Sequence, residues 1–284
     1  MTLRRAGVTL LVLLALVLVA GSQARLLAHP LEEDAGRRLL YLPNGRFLKI
    51  ASLGYPTFVA DMIYLWSIQF YGGYSKRMDR FAYLEHIYGQ VITRLDPRYI
   101  DPYLVGALIM VVENKDVEGA LELLDQGIVA NPDDWLMPYV AGFWAYDTAH
   151  DFDRAAEYFR RAMEIPGAPA STKRLHAGMI NKKGDKATSL LLWSGILEET
   201  DEERVRATAA NHVHDLQIDV DVARLDELAA RFEARSGRTP RATEELVAAG
   251  LLQGVPLDPD GRPYVFDPVT GEASSASPFR LRRH

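Results

Sequence analysis

Apolar and polar positions between Asp101 and Pro166 recur with an offset of 35 residues. The first copy reads DPYLVGALIMVVENKDVEGALELLDQGIVANPDD and the second WLMPYVAGFWAYDTAHDFDRAAEYFRRAMEIPG. Each copy predicts an apolar helix, a polar break, a second amphipathic helix and a proline-containing turn. The breaks are Asn114-Lys115-Asp116 and Ala149-His150-Asp151. In the second helices Ala120 aligns with Ala155, Leu124 with Phe159 and Gly127 with Ala162, while Pro132 falls one place short of Pro166. In the first helices Leu104, Ala107 and Val111 align with Tyr139, Gly142 and Tyr146. Small residues let two antiparallel helices approach closely, and the large residue four positions on fills the groove between them. The turn proline stops the second helix because it cannot continue the hydrogen-bond ladder.

This pattern resembles tetratricopeptide repeats. The resemblance implies a mainly α protein, an α-solenoid of helix hairpins with a concave binding surface, and it implies no chemistry. The register extends backward, since Pro97 to Pro132 is again 35 residues and Phe81–Leu95 reads as the second helix of an opening repeat. Its mate is Thr57–Tyr71, started by Pro56 and ended by Gly72-Gly73. In that helix Val59, Met62, Ile63, Trp66 and Phe70 form a stripe, with Phe58, Leu65 and Ile68 outside it. A helix apolar on every side is buried on several sides or docked. Two readings stand: the first helix of a degenerate repeat, or a contact with a partner or a membrane surface. Asp61, a carboxylate among apolar neighbours, is read as a cap or as the ionic partner of Arg94 or Lys76.

Further on, Pro166-Gly167-Ala168-Pro169 breaks the chain, and Ser171-Thr172 offers a cap for a helix to Asn181. Lys186–Glu199 places Ala187 and Leu191 in the second-helix pattern, with Ser194 at the close approach, which predicts a third repeat. Asp201–Leu216 then reads as a capping helix and Asp219–Ser236 as a separate amphipathic helix ended by Gly237. Beyond it the period changes. A short helix, Ala242–Ala249, precedes a β-rich run at Tyr264-Val265-Phe266, a turn at Asp267–Gly271 and a returning strand at Glu272–Ser275. The predicted organisation is residues 1–24, 25–55, a helical repeat region 56–217, and a small C-terminal α+β unit of helix, helix and hairpin over 218–284.

The N-terminus carries Arg4 and Arg5 before an apolar run from Ala6 to Ala20. That is the layout of an export signal, with Ser22-Gln23-Ala24 as a small-x-small cleavage site. Extended through Ala24 the run has 19 residues, enough to span a bilayer. Both readings stay open: an uncleaved inner-membrane anchor with the body in the periplasm, or a cleaved signal with a periplasmic or secreted product. Residues 25–54 read as a connector with a turn at Pro43-Asn44-Gly45, where Asn-Gly favours positive φ. The stretch LPNGRFLKIASLGYPTFVADMIYLWSIQFYGG resembles the N-terminal part of membrane-anchored tetratricopeptide proteins of Gram-negative bacteria.

Composition narrows the function. The chain has 284 residues, 48% apolar, a net charge of −6 and no cysteine. The charge argues against a dedicated nucleic-acid binder. The lack of cysteine excludes disulfides, thiolate catalysis and cysteine-ligated metals. No nucleophile elbow, phosphate loop, paired-histidine motif or dinucleotide fingerprint is present, so a non-enzymatic protein without cofactor is expected. His212 and His214, two apart, point to different helix faces and do not share a metal. SGRTPRATEELVAAGLLQGVPLDPDGRPYVFDPVTGEASS resembles the C-terminal segment of type II secretion pseudopilins, over about 40 residues. That resemblance implies calcium candidates at Asp258, Asp260 and Asp267, although turn chemistry accounts for the same residues. The expected function is an exported scaffold that holds a protein or peptide in its groove, in a pilus or secretion-type envelope assembly. The alternatives are a structural subunit of a membrane complex and a ligand- or calcium-binding periplasmic protein. Candidate contacts on the first helices are Tyr103, Glu113, Trp135, Tyr139, Phe143, Trp144 and Tyr146.

Overall fold

A computed structural model describes residues 17, 18, 21, 42–73 and 79–281. Over these the chain is mainly helical with one two-stranded sheet. It divides into two compact units, Met1–Leu95 and Asp96–His284. The N-terminal apolar run lies outside the described residues save Val17, Leu18 and Gly21. Among the described residues no helix is long and apolar enough to cross a membrane.

The first unit contains α1 (Gly45–Ala51), α2 (Pro56–Gly73) and α3 (Asp79–His86), the last running through a π-helical turn, Ile87–Ile92, into α4 (Thr93–Leu95). The expected turn at Asn44-Gly45 is instead a helix start. Asn44 sits at φ −47° and its side chain accepts from the Arg46 amide at 2.9 Å, capping α1. Gly45 is needed for proximity rather than for positive φ. A Cβ there would stand 2.5 Å from the Val91 carbonyl oxygen and 2.9 Å from Arg94 Cβ. The π turn has a local cause: the Thr93 hydroxyl donates to the carbonyls of Tyr88 and Gly89 at 2.7 and 3.2 Å. The core of this unit joins Ala60, Leu84, Ile87, Val91 and Ile92 to Tyr88, whose hydroxyl meets Ser67 Oγ at 2.8 Å. Asp61 is exposed.

The second unit opens with α5 (Ile100–Ile109), which ends in a π turn at Met110–Asn114, and α6 (Val117–Ala130). Then come α7 (Leu136–Asp147), α8 (Phe152–Glu164), α9 (Ser171–Lys182) and α10 (Lys186–Glu199). Each helix packs on the next, and α5 also packs on α7. The three tight connections share one construction. A left-handed residue ends the first helix: Lys115 at φ 59°, His150 at 53°, Gly184 at 93°. An aspartate then caps the second: Asp116 accepts from the Gly119 amide, Asp151 from Arg154 and Asp185 from Thr188. α9 begins at Ser171 itself, with Ala170 at its cap position and no side-chain cap.

Counting from these caps corrects the third hairpin. Four residues after each aspartate stand Ala120, Ala155 and Ser189; eight after stand Leu124, Phe159 and Trp193. All six are buried. Leu191, expected in the core, is 74% exposed, and Ala187 is exposed too. The small buried residues of the first helices, Ala107, Gly142 and Ala177, keep a spacing of 35, while Asp185 follows Asp151 by 34. The third connection is therefore one residue shorter, and that shifts its second helix.

A second correction concerns the two helices expected over 201–236. They are one helix, α11 (Glu203–Ser236), 34 residues long, ended by Gly237 at φ 73°. No glycine or proline interrupts it, and the join is held by buried Ile218 and by Asp219, paired with Lys186 at 3.1 Å. The front of α11 packs on α10 around Trp193, Ile196, Ala209 and Leu216. Its rear makes a second core from Leu225, Leu228, Phe232, Leu246, Tyr264 and Phe266. Leu246 belongs to α12 (Thr243–Ala248) and Phe266 to β1 (Val265–Phe266), which pairs antiparallel with β2 (Ala273–Ser274). The hairpin lies where its alternation and turn residues predict.

Candidate functional site

The expected contact residues separate into core and surface. Tyr103 is core: it is 2% exposed, its ring covers Gly127, and its hydroxyl donates to the Pro97 carbonyl at 3.2 Å. Burial, with Asp96 nearby, pushes that hydroxyl up to about 12. It does not reach solvent for a partner. Glu113 is half-buried in the π turn that ends α5.

The structure does bring Trp135, Tyr139, Phe143 and Tyr146 together. They follow one stripe along α7 at spacings of four, four and three. Trp135 meets Tyr139 edge-on at 5.9 Å between ring centroids, and Tyr139 meets buried Phe159 of α8 the same way. Tyr146 leans on Phe152 at 6.2 Å, with Lys182 Nζ about equally far over both rings. Phe143, edge-on to Trp144 at 5.2 Å, stays 43% exposed. The sequence reading missed its counterpart one repeat earlier, Leu108, which is 46% exposed on α5 beside exposed Val112. A single signal locates it: Leu108 is Phe143 minus 35. The same step forward reaches Gly178, where an added Cβ would meet nothing within 4 Å. The first helices thus present a ladder of exposed apolar groups followed by a bare position.

The second helices carry charge instead. Arg154 of α8 donates to both oxygens of Glu118 on α6, at 2.8 and 2.6 Å, and to Asp151 at 2.8 Å. Tyr158 donates to Asp125 at 3.0 Å. Arg154, Tyr158 and Asp125, with Val129, Glu157 and Arg161, border an open cleft of about 350 Å³. Arg160 and Arg161 hold the Glu157 carboxyl at about 2. The ionisable groups of this cleft are engaged with one another, so its chemistry is that of a staple between hairpins.

Three aspartates of α11 hold the C-terminal segment. Asp215 accepts from the amides of Arg280 and Leu281 at 2.9 and 2.8 Å and from His214 Nδ1 at 2.8 Å. Asp221 accepts from the Tyr264 hydroxyl, and Asp226 from the Ala273 amide at 2.6 Å. Burial pushes the Asp215 carboxyl up, but those amides and the His214 ring outweigh it and leave it below the carboxylate range. Of the calcium candidates, Asp258 is buried and accepts from Ser275 Oγ and the amides of Asp260 and Arg262. These bonds overcome burial and hold it at about 2. Asp260 pairs with Arg280, and Asp267 accepts from Val269 and Thr270 in the hairpin turn. The three are not gathered into one place. Among the described residues no group of three His, Cys, Asp or Glu is arranged to hold a metal ion. His212 stacks on Trp193 at 3.9 Å, away from the polar cluster that holds His214.

Fold and surfaces together define a mainly helical protein of consecutively packed helices, closed by a small α+β end. No protein-family model and no curated protein matches this chain.

Proposed function

We propose that this chain is a non-enzymatic scaffold of tetratricopeptide type, an α-solenoid whose first-helix face holds an apolar segment of a partner protein. One observation carries the reading. Leu108 and Phe143 occupy the same position in successive hairpins and remain exposed beside buried Ala107, Ile109 and Gly142. Isolated exposed apolar residues are ordinary, but two at one repeat position, with Val112 beside them, make a patch with a period. The aromatic stripe from Trp135 to Tyr146 supplies rigid support behind Phe143, as anchors at interfaces require. The N-terminal apolar run would export the body and tether it to the inner membrane, placing the scaffold in the periplasm. The pseudopilin-like C-terminal segment suggests an envelope assembly, a pilus or secretion system, as its setting.

Photo-crosslinking inside cells tests this. A benzophenone amino acid is placed at Phe143 or Leu108, and at Val129 and Leu191 as exposed controls. The expected result is one discrete adduct shared by positions 143 and 108 and absent at 129 and 191. Adducts of equal strength at all four positions, or at none, would sink the reading.

A further inference from the structure

The first unit exposes a series of large apolar side chains. On α1 Phe47 and Ile50 face solvent, Ile50 at 79%; Leu53 follows at 87%, then Tyr55. On α2 Phe58, Met62 and Leu65 form an exposed stripe at i, i+4 and i+7, opposite the fully buried Ala60 and Ser67. These side chains sit on two consecutive helices that pack together and on the turn that joins them. A contiguous exposed apolar surface marks something that covers it.

We infer that α1 and α2 lie on an anionic bilayer surface, as an interfacial platform. Three observations support a lipid surface. First, charge: residues 42–73 carry Arg46 and Lys49 against Asp61, a balance of +1 in a chain of net −6. Basic and aromatic residues flanking an apolar face are the composition of interfacial helices. Second, polarity: α2 has 18 residues but is not apolar enough to cross a membrane, so it suits lying in the interface rather than spanning it. Third, tethering: the roughly 20 residues between the apolar run and α1 extend to about 70 Å at most. They confine this unit to a thin layer above the bilayer, where even a weak surface contact is well populated. This inference rests on the anchor reading of the N-terminus.

The chain has no cysteine, so single cysteines report cleanly. Fluorophores are attached at Ile50, Leu53 or Leu65, and at Val129 or Leu191 as controls. The full chain is reconstituted in nanodiscs of phosphatidylglycerol and phosphatidylethanolamine. The expected result is a several-fold loss of iodide quenching at 50, 53 and 65, with quenching by spin-labelled lipid. Positions 129 and 191 stay open to iodide. The double variant R46E/K49E should return the three labels toward water. Labels as open to iodide as the controls would overturn the inference. So would iodide protection without lipid quenching, which identifies a protein cover, a second copy included. A label at Leu14 reports the anchor separately. If Leu14 is not quenched by lipid, the anchor reading fails, and the same labels with added vesicles of that composition still decide the surface contact.

Discussion

Gly142 lies against the ring of Phe159, and a Cβ there would stand 2.9 Å from it. In an exposed helix Gly→Ala gains up to about 1 kcal/mol. Here the added methyl meets a fully buried ring, and overpacking of that kind costs about 1–3 kcal/mol. Gly142→Ala should therefore destabilise, with Phe159→Leu restoring part of the loss, as read by urea unfolding. Gly127 shows the same device with Met137 and Tyr103 as its cover, so the alignment of small residues has a physical cause that the sequence exposes. The cap aspartates form a second series. Asp116→Ala, Asp151→Ala and Asp185→Ala should each cost about 0.5–2 kcal/mol. Asp151 should cost the most, because it also holds the Arg154 side chain that bridges to Glu118. Gly45 is the contrary case. Its sequence signal points to a turn, and only the nearby Val91 carbonyl explains it.

At the scale of the element, α10 separates two registers. A core set by the aspartate cap contains Ser189, Trp193 and Ile196; the expected one contains Ala187, Leu191 and Ser194. Trp193→Ala should cost about 3–5 kcal/mol. Leu191→Ser should stay within about 0.5 kcal/mol, as exposed substitutions do. Equal costs would return the register to the expected Ala187, Leu191 and Ser194. The expected register lies two residues before the observed one, because Ala187, Leu191 and Ser194 repeat the small–large–small spacing of the earlier second helices on the wrong face. The cap was the better ruler. Likewise α11 looked like two helices because the apolar stripe changes neighbours near Gln217. The backbone is not interrupted there. The front half turns to α10, the rear half to the hairpin, and periodicity alone does not distinguish a change of partner from a break.

For the second unit as a whole, acid should weaken the fold in two stages. His176 and His212 are pushed down chiefly by burial. Both fold in the neutral form, so their contribution is complete above an ordinary histidine value of 6.5 and is lost as pH falls below it. Asp215 and Asp258 have lowered values, so their contribution is present above 3.8 and is lost as pH falls below it, for Asp258 toward about 2. Melting temperature should drop between about pH 7.5 and pH 5.5, and most of that drop should vanish in His176→Gln/His212→Phe. A wild-type chain with no drop over that range would contradict the assignment. The C-terminal segment adds a further test. Asp215→Ala strips the acceptor from two amides and from His214. Charged hydrogen bonds are worth about 1.5–3 kcal/mol each. Hydrogen exchange at residues 280 and 281 should accelerate while the amides of α8 keep their protection.

The sequence by itself determined the helix hairpins, the small and large positions of α6 and α8, the stop at Gly237 and the terminal hairpin. Each depends on interactions among residues close in the chain, where spacing and turn chemistry leave one solution. Tertiary structure alone decided the rest. An apolar first helix has more than one face fit for burial, and only its neighbours choose between them. They put Tyr103 in the core, leave Leu108 and Phe143 in solvent, and bury Ala60 and Ser67 of α2 in place of Phe58 and Leu65. The groups offered to a partner are those left over when packing is complete, and no local pattern records what packing leaves.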